Sequence, residues 1–358
     1  MPITSITLRR LCLPLVVPYR LSYRTFNEFE PIFVELETET GNTGFGDGHI
    51  SPGSSAETRE GGWNFCQEVA RSLLGQTIEQ AKILIASRSQ ESKVAASALA
   101  TAIEMVDDNP LFTVTEDARL PLLVPINSTD LAEIPKEVEQ LLEQGFCTFK
   151  IKVGKNVDAD LRRVAAIQKA AGGRATFRID ANRAYDREQG SQFAAALDPT
   201  GIELFEQPCN AADWDANAAV ASVSSVPLML DEPICSLADI ERAAQIDGVQ
   251  YCKLKLKRFG SLEGLKQGLD QVRQYGMEPV LGDGLGSEVS SWMEACVALR
   301  TIRNAGEFNG FLKPKIRLFN EPLRFDKGAI ALHRGYKPTL DRSILESCTI
   351  EKIRISVH

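Results

Sequence analysis

Four short apolar segments decide the fold: FKIKVG at residues 149–154, FRIDAN at 177–182, LFEQP at 204–208 and MLDEP at 229–233. Each segment has the pattern of a β-strand, closes on charged or polar side chains, and precedes a stretch with helical periodicity. One equivalent segment precedes them, PLLVPIN (121–127), and three follow: QYCKLKLK (250–257), MEPVLGDG (277–284) and FNGFLKPK (308–315). Eight strand–helix units in a row predict an α/β fold of the TIM-barrel type, in which the strand ends carry the chemistry.

A smaller α+β module precedes the predicted barrel. Residues 3–13 and 31–41 have strand character, and helical periodicity runs from about Glu57 to Met105. After Arg317 the barrel pattern stops, and we expect the remaining chain to return to the first module. We therefore predict a capping domain at residues 1–120, completed by residues 318–358, and a catalytic barrel at residues 121–317. A chain of 358 residues is long enough for each part to bury its own core.

The overall composition excludes several classes of protein. A formal net charge of −8, with scattered Lys and Arg residues, provides no basic surface for a nucleic acid. The chain has no apolar run of about 18 residues and no signal-peptide pattern, so we expect a cytoplasmic protein without a membrane partner. The eight cysteines include no CxxC pair, which argues against a zinc cluster or a redox motif. We expect a homo-oligomer that acts on a small molecule.

Three carboxylates close consecutive strand segments: Asp180, Glu206 and Asp231, with spacings of 26 and 25 residues. Each spacing fits one strand–helix unit, so the three side chains are expected to converge at one rim of the barrel. Any one of them alone would more simply be a helix N-cap or a surface residue. Three converging anions require a cation, however, and hard oxygen ligands suit Mg²⁺ or Mn²⁺.

Lysines flank this acidic trio in the sequence. Lys150 and Lys152 lie two residues apart on the preceding strand and share a face, although a solvated edge strand would show the same pattern. Lys253, Lys255 and Lys257 share a face by the same rule in the segment after the trio, and the sequence does not separate them. A lysine can remove a proton next to a carboxylate when its pKa falls from about 10.4 toward about 7 to 8. A metal would stabilise the dianion that forms.

Histidine usage narrows the choice of base. The chain has three histidines, and none of them closes a barrel segment, which disfavours a histidine base and a histidine-ligated zinc site. His49 lies in the capping segment GFGDGHISPG (44–53). It is either a flap residue that contacts substrate or a polar residue of a turn.

The order K-x-K, Asp, Glu, Asp, Lys, with one motif per successive strand, resembles the muconate-lactonizing-enzyme subgroup of the enolase superfamily over essentially the whole chain. The resemblance implies a modified (β/α)7β barrel with a capping domain, Mg²⁺ held by the three strand-end carboxylates, and removal of the proton alpha to a substrate carboxylate. It implies that Lys152 is an acid/base residue and that Lys150 assists on the carboxylate side. It selects Lys255 as the second catalytic lysine, because Lys255 stands five residues before Gly260.

Departures from better-known branches of the family bear on specificity. Asp47 follows GFG where related enzymes commonly have G-x-G-E, and the segment FLKPKIRLF (311–319) lacks the D-x-D with which dipeptide epimerases hold an ammonium group. Lys313 and Lys315 suggest an anionic substrate group instead, with solvated surface lysines as the alternative. The candidate substrate contacts come from strand ends and from the capping segment: Asn182, Asp283, His49 and Lys313.

The expected chemistry leaves several functions open. The leading one is a racemase or epimerase for an N-acylated amino acid, a cyclic amino acid or another carboxylate, because two opposed lysines suit proton transfer on both faces of one carbon. The alternatives are β-elimination or cycloisomerisation, as in a dehydratase, a muconate cycloisomerase or an o-succinylbenzoate synthase, which RIDANRAYD (178–186) resembles. A non-catalytic metal-dependent binding protein is the alternative from another class.

Overall fold

The computed structural model describes residues 2–20 and 24–357. Its strands are β1 (Ile3–Leu11), β2 (Leu13–Arg20), β3 (Thr25–Phe29), β4 (Ile32–Thr38), β5 (Thr43–Gly48), β6 (Ala118–Pro121), β7 (Val124–Ile126), β8 (Thr148–Lys152), β9 (Thr176–Asp180), β10 (Ile202–Glu206), β11 (Leu228–Leu230), β12 (Val249–Leu254), β13 (Glu278–Leu281), β14 (Arg324–Asp326), β15 (Ala329–Leu332) and β16 (Thr349–Ser356). Its α-helices are α1 (Arg59–Leu73), α2 (Ile78–Arg88), α3 (Lys93–Val106), α4 (Ile134–Glu143), α5 (Val157–Ala171), α6 (Arg187–Ala196), α7 (Trp214–Val223), α8 (Leu237–Ala243), α9 (Leu256–Phe259), α10 (Leu262–Gln274), α11 (Glu288–Thr301) and α12 (Arg342–Ser347). No helix within these described residues is long and apolar enough to cross a bilayer.

The first part of the chain forms an antiparallel sheet in the order β16-β1-β4-β5, with helices packed on it. Strand β5 carries glycine at every second position, and α3 lies directly on that glycine face. A Cβ atom added to Gly44 would stand 2.2 Å from the Ala102 carbonyl oxygen, and one added to Gly48 would stand 2.4 Å from that of Val94. Glycine is therefore required by the close approach of the helix to the strand.

The opposite face of β5 joins this sheet to the rest of the molecule. Phe45 points away from α3, and its ring centroid lies 6.0 Å from that of Trp292 in α11 and 6.1 Å from that of Phe319. Phe45 belongs to the same hydrophobic cluster as the barrel side chains. The two parts of the chain therefore share buried apolar surface, which stabilises their contact.

Seven parallel strands form the barrel sheet in the order β13-β12-β11-β10-β9-β8-β7. Their order follows the chain, and helices separate the later strands, as in the strand–helix repeat that the sequence predicts. The strands are largely buried on both faces, which explains their nearly continuous apolar composition. The predicted modified barrel with an N-terminal capping part is confirmed.

The eighth predicted strand is wrong in position and in conformation. FNGFLKPK contains a 3₁₀ turn at Gly310–Leu312 instead of a strand, and Phe308 and Phe311 are both buried. The barrel is instead closed by the residues just before this segment. Gly306 N donates to the Pro121 carbonyl (2.9 Å), and Glu307 N donates to the Leu281 carbonyl (2.9 Å). Glu307, rather than Lys313, therefore stands at the eighth position of the barrel.

The strand before Lys255 is also shorter than the sequence pattern suggests. Pairing with β13 ends at Leu254, Lys255 is the N-cap of α9, and Lys257 lies within that helix. The alternation of lysine and leucine continues after the last strand hydrogen bond, so Lys257 does not share a strand face with Lys253 as predicted.

Two strands of the C-terminal segment pair with earlier strands of the chain. Strand β16 runs antiparallel to β1, with Leu8 opposite Ile353, while β15 pairs with β6. This pairing returns the last residues to the first sheet. The proposed domain boundaries, after residues 120 and 317, remain predictions.

Candidate active site

Five buried charged side chains form the floor of the site at the carboxyl end of the barrel strands. The Lys150 Nζ atom lies 2.8 Å from Asp180 Oδ2, 2.8 Å from Glu206 Oε2 and 3.1 Å from Glu307 Oε2. Lys253 donates to Glu206 Oε1 at 3.0 Å and also pairs with Glu307. All five residues are at most 7% exposed. Each buried charge is thus compensated by direct partners, as its burial requires.

Strand register brings the predicted residues to one level. Lys152 is the direct neighbour of Asp180 in the parallel pairing of β8 with β9, and Asp180 is the neighbour of Glu206 in that of β9 with β10. Asp231 follows two residues after Met229, the partner of Glu206 on β11. The three carboxylates therefore close three adjacent strands at the same end of the barrel.

Two lysines flank the carboxylates from opposite sides. Lys152, at the end of β8, places its Nζ atom 2.5 Å from Asp180 Oδ2. Lys255, directly after β12, places its Nζ atom 3.0 Å from Asp231 Oδ2. Three strands, β9 to β11, separate β8 from β12 in the sheet. The two ammonium groups thus approach the site from different sides.

The structure distinguishes the three lysines that the sequence leaves open. Lys253 is buried in the floor, where its carboxylate partners outweigh burial and raise its pKa. Lys257 pairs with Asp283 Oδ2 at 2.5 Å. Burial, reinforced by Arg258 and Lys253, lowers the pKa of Lys255 despite its contact with Asp231. Burial therefore weakens the hold of Lys255 on its proton, whereas the carboxylates around Lys253 strengthen it there.

The carboxylates differ in their electrostatic environments. Burial opposes the ionisation of Asp180, but the neighbouring Lys150 and Lys152 outweigh it and lower the pKa to about 2. The same balance holds the pKa of Asp231 well below its ordinary value, through Lys255 and Arg258. Arg258 Nη1 lies 2.8 Å from Asp231 Oδ1. Glu206 differs, because burial and the adjacent Asp180 raise its pKa.

Asn182 and Asp283, two predicted substrate contacts, both line the site. Asn182 accepts a hydrogen bond from Lys152 and has φ of +45°, and the next residue, Arg183, has φ of +68°. Two consecutive non-glycine residues in the left-handed region are costly and recur at functional turns. Asp283 is half-buried between Lys255, at 3.8 Å, and Lys257. Both residues position lysine side chains.

Lys313 does not lie where its sequence position predicts. It is not among the residues that line the site cavity. Its ammonium group donates to the Gly284 carbonyl at 2.6 Å and to Asn309 Oδ1 at 2.8 Å, and it lies 4.8 Å from the ring centroid of Tyr19. Burial lowers its pKa to about 8. Lys315 is exposed.

His49 is neither a cavity residue nor a polar turn residue, which corrects both alternatives. It is 5% exposed, and its ring centroid lies 4.9 Å from that of Phe29 and 5.8 Å from that of Phe26. Burial lowers its pKa to about 3, so it is neutral. The physical reason is the strand alternation of β5, which continues past Gly48 and turns His49 to the same side as Phe45.

Sequence reasoning missed Glu307 and the contribution of the cap. Glu307 immediately precedes the segment that was assigned to the eighth strand, so a shift of that strand by a few residues would have revealed it. The cap residues carry no motif that points to a site. They come from β2, from the loop that follows β5 and from the start of α3, and folding brings these segments to the barrel.

The two parts of the chain enclose a cavity of about 240 Å³. Its barrel side includes Lys150, Lys152, Asp231, Lys253, Lys255 and Glu307, together with Asn182, Arg183, Glu232, Lys257, Arg258 and Asp283. Its cap side consists of Tyr19, Ser54, Ser55, Glu57, Lys93 and Val94. The three predicted catalytic lysines, and Asp231 among the three predicted metal ligands, therefore face a common space.

The donor chemistry of the strand-end carboxylates fits a divalent cation. Asp180 and Glu206 each place an oxygen 2.8 Å from the same cationic centre, the Lys150 ammonium, and Asp231 closes the next strand. Within residues 2–20 and 24–357, no three acidic, histidine or cysteine side chains are already grouped at metal-binding distances. The carboxylates are paired with lysines and Arg258 instead. Oxygen donors of this type suit Mg²⁺ and Mn²⁺.

Comparisons with known proteins agree with this arrangement. Residues 133–338 match the family model described as enolase C-terminal domain-like. The chain is 28% identical over 306 residues to an L-Ala-D/L-Glu epimerase of Clostridium acetobutylicum, an alignment that covers 81% of this chain and 84% of that protein. It is 26% identical over 368 residues to an N-succinyl-L-Arg/Lys racemase of Bacillus cereus, with coverage of 99% and 98%.

Solved structures establish the fold independently. The N-succinyl Arg/Lys racemase from Bacillus cereus superposes with a TM-score of 0.90 at 24% identity, over 99% of this chain and 100% of that one. A dipeptide epimerase from Cytophaga hutchinsonii, in complex with Mg and D-Ala-L-Val, superposes with a TM-score of 0.89 at 22% identity and the same coverage. The whole chain therefore shares their architecture.

Proposed function

The chain belongs to the enolase superfamily, and we propose that it is a racemase or epimerase of a carboxylate substrate such as an N-acylated amino acid or a dipeptide. One observation carries this proposal. Lys152 and Lys255 enter a single cavity from either side of three strand-end carboxylates. A substrate carbon held between them presents one face to each lysine.

Lys152 and Lys255 would act as an acid/base pair. The lysine that is neutral takes the proton from the carbon alpha to the substrate carboxylate, and the opposite ammonium group delivers a proton to the other face. The configuration is thereby inverted, and the two lysines exchange protonation states. Reversal of the same steps converts the other enantiomer, so both lysines are needed for turnover in either direction.

The buried floor would provide fixed charges for this reaction. Lys150 has its pKa raised well above the ordinary value, because Asp180, Glu206 and Glu307 outweigh its burial, so it remains a cation. A fixed cation beside the substrate carboxylate would stabilise the negative charge that develops on it. A divalent cation held by Asp180, Glu206 and Asp231 would add Lewis-acid stabilisation of the same charge.

A substrate screen in D2O tests the proposal. N-acylated amino acids and dipeptides are incubated with the protein and Mg²⁺ or Mn²⁺, and each enantiomer is followed by proton NMR and chiral chromatography. A racemase or epimerase replaces the alpha proton with deuterium and forms the second stereoisomer. Formation of an unsaturated product without stereoisomer exchange would assign elimination instead. Absence of both reactions across the library would refute the proposal.

A further inference from the structure

One cation of the cavity lacks a carboxylate partner. Eight lysine and arginine side chains line the cavity, and seven of them lie within 4.0 Å of a carboxylate oxygen. Examples are Lys257 with Asp283 at 2.5 Å and Arg183 with Glu232 at 3.3 Å. Lys93 is the exception among the described residues. It is partly buried at the start of α3, on the cap side of the cavity. Of the eight cations that line the cavity, Lys93 is thus the one without a described carboxylate within 4.0 Å.

Among residues 2–20 and 24–357, Lys93 makes one polar side-chain contact, which is long and involves an uncharged partner. Its Nζ atom lies 3.3 Å from the Cys235 carbonyl oxygen, on the loop that follows β11 and begins with Asp231. An ammonium group has three donors, so this contact leaves hydrogen-bonding capacity toward the cavity. Lys313, which does not line the cavity, also has no carboxylate within 4.0 Å in the part of the chain that the structure describes, but its ammonium group contacts the Gly284 carbonyl, Asn309 Oδ1 and the Tyr19 ring.

The backbone on both sides of Lys93 is held in place by Glu57. One carboxylate oxygen of Glu57 accepts hydrogen bonds from the Ser92 hydroxyl at 2.6 Å and from Val94 N at 3.2 Å. These contacts replace the N-cap that the Ser92 side chain does not provide. Glu57 thus acts as a positioning residue for the start of α3, and Lys93 projects from a fixed turn.

The space around Lys93 suits an extended substrate. Lys93 and Cys235 line the site cavity and also a neighbouring cavity of about 220 Å³. A substituent that reaches from the barrel lysines to Lys93 therefore meets further open volume instead of a closed wall.

We infer that Lys93 binds a second anionic group of the substrate, at the end remote from the reacting carbon. This inference rests on the proposed function. It assigns the substrate to the dicarboxylates, specifically amino acids whose acyl group ends in a carboxylate. A neutral or cationic end would leave the partly buried ammonium without compensation, whereas a carboxylate would form a charge-assisted hydrogen bond with it.

Calorimetry with matched ligands tests the inference without requiring turnover. The ligands are N-malonyl-, N-succinyl- and N-glutaryl-L-alanine, each paired with the compound in which the terminal carboxylate is an amide. Binding to the Mg²⁺-supplemented wild-type protein is compared with binding to Lys93→Met, Lys93→Arg and Lys136→Met. Lys136 is an exposed lysine on α4 outside the cavity lining and serves as the matched control.

The wild-type protein is expected to bind at least one terminal carboxylate about tenfold or more tightly than its amide, a ratio typical of hydrogen bonds to charged groups. The preference should disappear in Lys93→Met and persist in Lys93→Arg and Lys136→Met. Equal binding of all three pairs by the wild type, or an undiminished preference in Lys93→Met, would overturn the inference. Deuterium exchange at the alpha carbon is followed separately. Preferential binding without exchange would refute the proposed proton transfer while leaving the role of Lys93 intact.

Discussion

Replacement of either flanking lysine by alanine should separate proton exchange from turnover. In Lys152→Ala, Asp180 keeps its contact with Lys150 at 2.8 Å, and in Lys255→Ala, Asp231 keeps Arg258 at 2.8 Å. Neither variant leaves a buried carboxylate without a cation. Both proteins should therefore fold, and their defects should be in catalysis.

The contacts set the expected magnitudes. The Lys152 side chain is 38% exposed, so its ion pair is worth at most about 1 kcal/mol of stability after solvent screening. Loss of a general acid or base lowers the rate by about 10²- to 10⁴-fold, which raises the barrier by about 3–5 kcal/mol at about 1.36 kcal/mol per decade. Turnover should therefore fall by at least two orders of magnitude, while the melting temperature changes by only a few degrees.

The assay follows each pure enantiomer of a substrate in D2O by proton NMR. Each variant should exchange the alpha proton of the one enantiomer that its remaining lysine reaches, and neither variant should interconvert the enantiomers. Exchange of both enantiomers at the wild-type rate in either variant would refute the two-base mechanism. If Lys255→Ala turns substrate over normally and Lys257→Ala does not, Lys257 is the second acid/base residue.

Three further predictions address the metal, the floor and the pH dependence. Chelation should abolish turnover and Mg²⁺ or Mn²⁺ should restore it, whereas full activity in protein shown to be metal-free by elemental analysis would contradict the proposed ligands. Glu307→Ala should lower the free energy of unfolding by about 3 kcal/mol in urea titrations. This is the low end of the range for a broken buried ion pair, because Lys150 and Lys253 keep Glu206 as a carboxylate partner. A loss below about 1 kcal/mol would argue against a structural role of Glu307. Burial raises the pKa of Glu294 from 4.5 to about 8, so the folded protein binds the extra proton and the free energy of unfolding should fall as pH rises through that window. In Glu294→Gln this decrease should be smaller, and identical slopes in urea titrations across the window would contradict the assignment.

The barrel and the order of its charged residues could be predicted from local features of the sequence. An alternating apolar pattern, a charged residue at the end of each segment and spacings of 26 and 25 residues are local features, readable without knowledge of any long-range contact. They were sufficient to predict that Lys152, Asp180 and Glu206 end neighbouring strands, because parallel strands with regular connections bring their carboxyl ends to one rim.

Features that depend on contacts between distant residues could not be predicted from the sequence. Lys150 and Glu307 are 157 positions apart, and their ion pair exists because the chain closes the barrel at Gly306 instead of in the apolar segment that follows. The alternation of lysine and leucine after Cys252 looks like one strand, yet the sheet pairing stops at Leu254. The sequence pattern shows which side chains alternate, but the hydrogen bonds to the neighbouring strand determine where strand pairing ends.

Two residues of the cap, His49 and Lys93, also have environments that the sequence pattern did not predict. The polar character of His49 suggested a surface or a site, but the packing of β5 against the barrel buried it between aromatic rings. Lys93 had no distinguishing sequence feature, and it gained its position because glycines on β5 allow α3 to approach the strand closely. The burial and the ion pairs of a residue depend on neighbours from many parts of the chain, and only folding brings those neighbours together.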